Sequence, residues 1–191
     1  MSPGQGRVLD SVAKRRQVVV FTHDDRLPEA VRRLGIDARV WQVTRHEDSV
    51  VELRPSLDPV RRNLDDALAL ARTDDLPPMV AQQVVPGFCR AAIEAACVEV
   101  IRRRRIGRGE AHDDVEALIE GAPKLNERMA LALFDTPNRG ADVAARVRSW
   151  GEAFADAWGI SNRGAHAGYR GSLEDLVRDT ERLCRVIRET K

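Results

Sequence analysis

The pattern of apolar and polar positions divides the chain into two unlike parts. Val8, Leu9 and Val12 share one face of a short helix predicted over 8–16. Gln17-Val18-Val19-Val20-Phe21-Thr22-His23 follows. Such a continuous β-branched run marks a strand buried on both faces of a parallel sheet. A second helix is predicted over 26–34, with Pro28 tolerated in its first turn and Gly35 as its stop. Residues 38–44 and 49–53 alternate and read as strands, with His46-Glu47-Asp48 as the turn between them.

Beyond residue 54 the periodicity is helical. A helix is predicted over 57–72, opened by Ser56 or Asp58 with Pro59 near its first position. Thr73-Asp74-Asp75-Leu76-Pro77-Pro78 breaks the pattern, and a short helix is predicted over 79–85. Over 87–105, Phe88, Cys89, Ala92, Ile93, Ala96, Cys97, Val100 and Ile101 paint one wide apolar stripe, and Gly107 and Gly109 end it. Helices over 111–120 and 124–134 come next, then a loop at Asp135-Thr136-Pro137-Asn138-Arg139-Gly140. The helix predicted over 141–158 carries Val143, Val147, Trp150, Phe154 and Trp158. The last, over 172–189, starts at Ser172 with Asp175 at its third position, a variant of the capping box. The expected fold class is therefore α+β and predominantly α: a small α/β lobe over 1–54, a linker helix and Pro-rich break over 55–77, and an all-α helical bundle over 78–191.

Composition narrows the function classes. The 191 residues are 43% apolar and 32% charged, which supports a sizeable core and argues against general disorder. The net charge is +1, so only a local patch could favour nucleic acid. The densest is Arg102-Arg103-Arg104-Arg105, with Arg108. A helix C-terminus favours such cations, and the run also suits RNA or DNA phosphates. Cys89, Cys97 and Cys184 lie inside apolar helical patterns without a Cys-x-x-Cys pair and read as buried hydrophobes in a reducing compartment. His112-Asp113-Asp114 finds no second ligand cluster, so no metal site is expected. Trp41, Trp150 and Trp158 read as core anchors. No apolar run approaches the ~20 residues of a membrane span, so a cytoplasmic location without a membrane partner is expected.

Two constellations carry chemistry. In the first, the apolar run delivers Thr22, His23, Asp24 and Asp25 to a strand's carboxyl end, where α/β sheets bind ligands. An apolar strand running into Thr-His-Asp after a helix with a basic end resembles the switch-histidine (H-loop) strand of ABC-type and SMC-like ATPases, over residues 7–54. The resemblance puts His23 in contact with a nucleotide γ-phosphate across a dimeric sandwich, with Asp24 beside it. The chain lacks Gly-x-x-x-x-Gly-Lys-Ser/Thr and an Asp-Glu strand end ahead of His23. No cofactor is therefore expected in the lone chain, and ATP with Mg²⁺ only together with a partner chain. The expected partner is an ATPase chain or a second copy, because the exposed edge of so small a sheet needs covering.

The second constellation is Ser161-Asn162-Arg163-Gly164-Ala165-His166, Gly-punctuated and polar between aromatic neighbours. Asn162 and His166 stand one helical turn apart. An imidazole beside an amide and a guanidinium suits proton transfer at a phosphodiester. With Arg90 and Glu94 one turn apart upstream, the bundle resembles HEPN-type helical domains and the helical tails of some ABC-like ATPases of bacterial defence systems. The resemblance gives Asn162 and His166 the polar and histidine positions of a metal-independent ribonuclease. Ser161 stands at the arginine position, and Arg163 is displaced by two residues. The function expected from sequence is a non-catalytic or partner-dependent piece of such an ATPase, with a ribonuclease as the alternative.

Overall fold

A computed structural model describes residues 3–23, 26–33, 36–45, 50–55, 58–163 and 169–190. The chain forms two compact units, Met1–Ser56 and Leu57–Lys191. The fold is predominantly α with a single two-stranded sheet among the described residues, the expected class.

The first unit contains α1 (Pro3–Ala13), α2 (Arg26–Arg33) and an antiparallel hairpin of β1 (Trp41–Arg45) and β2 (Val51–Pro55). Its register pairs Trp41 with Pro55, Val43 with Leu53 and Arg45 with Val51. Directly paired residues share a face, so Trp41, Val43, Val51, Leu53 and Pro55 stand on one face together with Arg45, and Gln42, Thr44 and Glu52 hold positions on the other. The strand expected over 17–23 is not formed: residues 17–22 have no regular secondary structure. The physical reason is pairing, since a strand exists only against a neighbour that takes its N–H and C=O groups. The expected turn at 46–48 lies outside the described residues.

This unit has almost no interior. Ala30 is its one buried residue among those described. Val8, Val12, Val19, Val20, Phe21, Trp41, Val43, Val50, Val51 and Leu53 are all exposed. Trp41 was expected to anchor a core, and at 53% exposure it does not.

The second unit is a bundle around α4 (Pro78–Gly107), a helix of 30 residues and so about 45 Å long. Against it pack α3 (Pro59–Arg72), α5 (His112–Glu120), α6 (Leu125–Phe134), α8 (Glu152–Arg163) and α9 (Leu173–Glu189). Val85, Cys89, Ala92, Ile93, Ala96, Cys97 and Val100 are each 0% exposed along one stripe, each large side chain contributing roughly 1.5–3 kcal/mol of burial. Helix α3 belongs to this core through Val60, Leu64 and Ala67.

Two local signals were overridden or sharpened. Two helices were expected on either side of Pro86, yet α4 runs through it unbroken. Pro cannot donate to the carbonyl of Gln82, a loss of ~3 kcal/mol in an isolated helix. Here Val85, Pro86 and Cys89 are buried together, and packing outweighs it. The single helix expected over 141–158 is instead a 3-10 turn (Pro137–Asp142), α7 (Val143–Arg148) and α8. Gly151 makes the break at φ +147°, which an L side chain rarely adopts. Trp150 and Trp158 pack on the core as expected. A Cβ at Gly171 would lie 2.2 Å from the Tyr169 hydroxyl, so a side chain there would displace that ring.

All three cysteines are buried and free, as their pattern predicted. Burial pushes the Cys89 thiol up to about 11, against a lowering contact with Thr180, and Cys97 up to about 12. Burial raises Cys184 as well. Ellman's reagent should therefore leave all three thiols unreacted over minutes in native buffer and titrate three after unfolding in guanidinium. Prompt native reaction of any one would contradict this packing.

Candidate functional site

The arginine run ends α4 at the meeting point of several helix termini. Arg102 makes a bidentate pair with Glu116 of α5, Nε to Oε1 at 2.7 Å and Nη2 to Oε2 at 2.6 Å. Arg103 donates to the carbonyls of Arg188, at 2.6 Å, and Thr190, at 3.3 Å, at the end of α9. Arg104 donates to the carbonyl of Ala132 near the end of α6. Arg105 reaches Glu110 at 2.9 Å, the Asp135 carboxylate at 2.9 Å and the Asp135 carbonyl at 3.0 Å. Arg108 reaches the same carboxylate at 2.5 Å. Terminal carbonyls lack helical partners and carry partial negative charge. The run expected at nucleic-acid phosphates thus faces inward, tying the ends of α4, α6 and α9 together.

Asp135 is the residue of this cluster that sequence reading left in a loop. It caps α6 in the left-handed conformation, φ +63°, the one non-glycine with positive φ among the described residues. Burial works against its ionised form. Hydrogen bonds and charge from Arg108 and Arg105 outweigh burial and hold the carboxyl below its ordinary range. A second cluster lies beside it, at the end of α9. Arg188 of α9 lies 2.5 Å from Asp58, the N-cap of α3, and 2.5 Å from Glu99 of α4. Burial disfavours its charge, and the two carboxylates more than restore it. On α4, Glu94 joins Arg90 at 2.8 Å and Arg128 of α6 at 3.3 Å. The expected Arg90–Glu94 turn is a helix–helix tie.

The remaining predicted residues are not brought together. His23 follows the irregular run 17–22 and is exposed. Asp24 and His166 lie outside the described residues. Asn162, in the last turn of α8, is half-buried. Arg163 is exposed and folds back one turn, its guanidinium 3.8 Å from where a Cβ on Gly159 would stand. Ser161 is fully buried, its hydroxyl without a partner, as is the Trp158 indole N–H. Past this turn, burial and then Asp175, Asp156 and Asp179 push the Tyr169 phenol upward. Two of those carboxylates are themselves paired, Asp175 with Arg178 at 2.8 Å and Asp179 with Arg182 at 3.6 Å.

No group of three or more His, Cys, Asp or Glu side chains among the described residues could hold a metal ion. No described helix is long and apolar enough to cross a membrane. The first unit carries the feature that points outside the molecule: a largely exposed apolar run leading into His23, and a hairpin whose Trp41, Val43, Val51 and Leu53 are exposed. No family model, curated protein or solved structure matches the chain.

The cluster at Asp135 yields a graded test. Asp135→Asn tolerates the left-handed backbone and loses only the ion pairs, about 1 kcal/mol after screening of its exposed side. Asp135→Ala adds backbone strain and should cost roughly twice as much. Because the folded carboxyl titrates below its unfolded value of about 4, its contribution is present above that pH and fades as the pH falls through the folded value. Urea unfolding should show the wild-type lead over Asp135→Asn at neutral pH and its progressive loss as the pH falls below the ordinary carboxylate value of about 4. An equal lead across that range would contradict the ion-pair assignment.

Proposed function

We propose that the chain is an interaction module that completes an ABC/SMC-like ATPase, with the helical unit as its rigid body and the first unit as its docking element. One observation carries this reading. Ten large apolar side chains of the first unit are exposed while Ala30 alone is buried among its described residues. Exposed apolar side chains in such number are a feature of binding surfaces. A segment that cannot bury enough surface by itself folds against a partner.

The run suits an interior slot of a sheet, because Val18 and Val20 point to one side of an extended chain and Val19 and Phe21 to the other. Seating it in a partner's sheet would bring His23 to that sheet's carboxyl edge, where the partner holds its nucleotide and Mg²⁺. The exposed imidazole would then act as a hydrogen-bonding group at the γ-phosphate. The binding energy comes from apolar burial, and the histidine adds nucleotide sensing. The ribonuclease reading draws support from the half-buried Asn162 and its unpartnered neighbour Ser161.

The lone chain should bind no Mg-ATP in calorimetric titration up to millimolar nucleotide. Tight binding by the chain alone would overturn the proposal. In parallel, the chain should leave single-stranded RNA intact in EDTA. Cleavage that persists in EDTA and disappears in His166→Ala would select the ribonuclease instead.

A further inference from the structure

The rigidity of the helical unit stops at α8. Each of α3, α5, α6, α7 and α9 buries at least one Val, Leu or Ile. Helix α8 buries only Ala157 and Ser161, and its large apolar side chains, Phe154, Trp158 and Ile160, are half-buried. The free energy gained on burial scales with apolar area, so small side chains hold a helix weakly.

Two of the atoms that α8 does bury are polar and unpaired. The Ser161 hydroxyl, on a residue with no exposed surface, and the Trp158 indole N–H have no hydrogen-bond partner. Three residues apart, they belong to one face of the helix. A buried polar group without a partner carries its full desolvation penalty, and water relieves that penalty once the group is exposed. Side-chain ties to the neighbouring helices do not compensate. Among the described residues, the one ion pair of α8 joins Glu152 to Arg148 of α7 at 3.4 Å, and both side chains are exposed. The pairs that hold the other helices, Glu116 with Arg102, Arg128 with Glu94 and Asp58 with Arg188, have no counterpart on α8. The chain enters α8 through Gly151 at φ +147°, a backbone state that glycine reaches without strain and that suits a pivot.

We infer that α8 is a displaceable helix, opening about Gly151 while α3, α4, α6 and α9 stay packed. In the closed form it covers part of α4 and α9. In the open form that strip is bared, and the Trp158 N–H and Ser161 hydroxyl gain water. The two unpaired atoms narrow the free-energy gap between the forms. A ligand that binds only the open form then shifts the population with modest affinity, which makes α8 a switch. The inference concerns the helical unit alone and stands apart from the docking role of the first unit.

The test is native-state hydrogen exchange on the full chain, wild type against Ser161→Ala. Wild-type amides within 154–162 should exchange at least ~100-fold faster than those in the middle of α4 and α9. Ser161→Ala removes the unpaired hydroxyl from the closed form and should slow exchange in α8 roughly tenfold. Ala153→Ser, on the exposed side of the same helix, makes the reverse exchange without burial and should change the rate by no more than about threefold. A second readout is chemical. The thiol introduced by Ser161→Cys fills nearly the same volume and should react with Ellman's reagent while Cys89, Cys97 and Cys184 stay protected. Three results would each overturn the inference: exchange of α8 only together with α4, a Ser161→Ala effect of the wrong sign or within the Ala153→Ser range, or a thiol at 161 as protected as the native three. None of these results touches the nucleotide titration, so failure here is distinguishable from failure of the proposed function.

Discussion

The structure depends on where apolar surface can be buried. Helix α4 gives the second unit a central column, and the surrounding helices close on Cys89, Ile93, Cys97 and Val100 until these residues are wholly enclosed. The first 56 residues have no such column. Two short helices and a two-stranded hairpin cannot enclose a core, and an isolated hairpin is marginal in water. The same chain therefore carries a finished body and an unfinished lobe, and the unfinished lobe is the informative one.

The finished body is locked at its ends by arginine. Helix termini leave carbonyls without partners. Arg103 and Arg104 satisfy carbonyls at the ends of α9 and α6, while Arg105 and Arg108 converge on Asp135. A planar guanidinium with five donors suits this task better than lysine's point charge. The basic run, which in isolation reads as a phosphate-binding strip, thus has its partners within the fold.

The helical unit was largely legible in the sequence because its signals are local and repeated. The stripe from Cys89 to Ile101 gave α4, and Ser172 gave the start of α9, its hydroxyl accepting from the Asp175 N–H at 3.2 Å. The misreadings have physical causes. Pro86 counted as a breaker, and its cost is outweighed by burial that only the tertiary structure supplies. The partners of Arg103 lie 85 and 87 residues away, a separation no local pattern encodes. Trp41 read as core because aromatic residues usually are, yet it is exposed on its hairpin. The run at 17–22 carried the chemistry of a buried strand, and the surface that would bury it is not in this chain's described residues. Of the candidate site, the apolar run and His23 were legible, whereas Asp135 was hidden in a turn.

Hydrogen exchange measured residue by residue on the lone chain tests the central claim most directly. Amides in the middle of α4 should exchange only with global unfolding, while those of Val18–Phe21 and of the hairpin should exchange close to unfolded-chain rates. Equal, strong protection of both regions in the lone chain would mean that the first unit completes its own core, and the account of it as a docking element would be wrong.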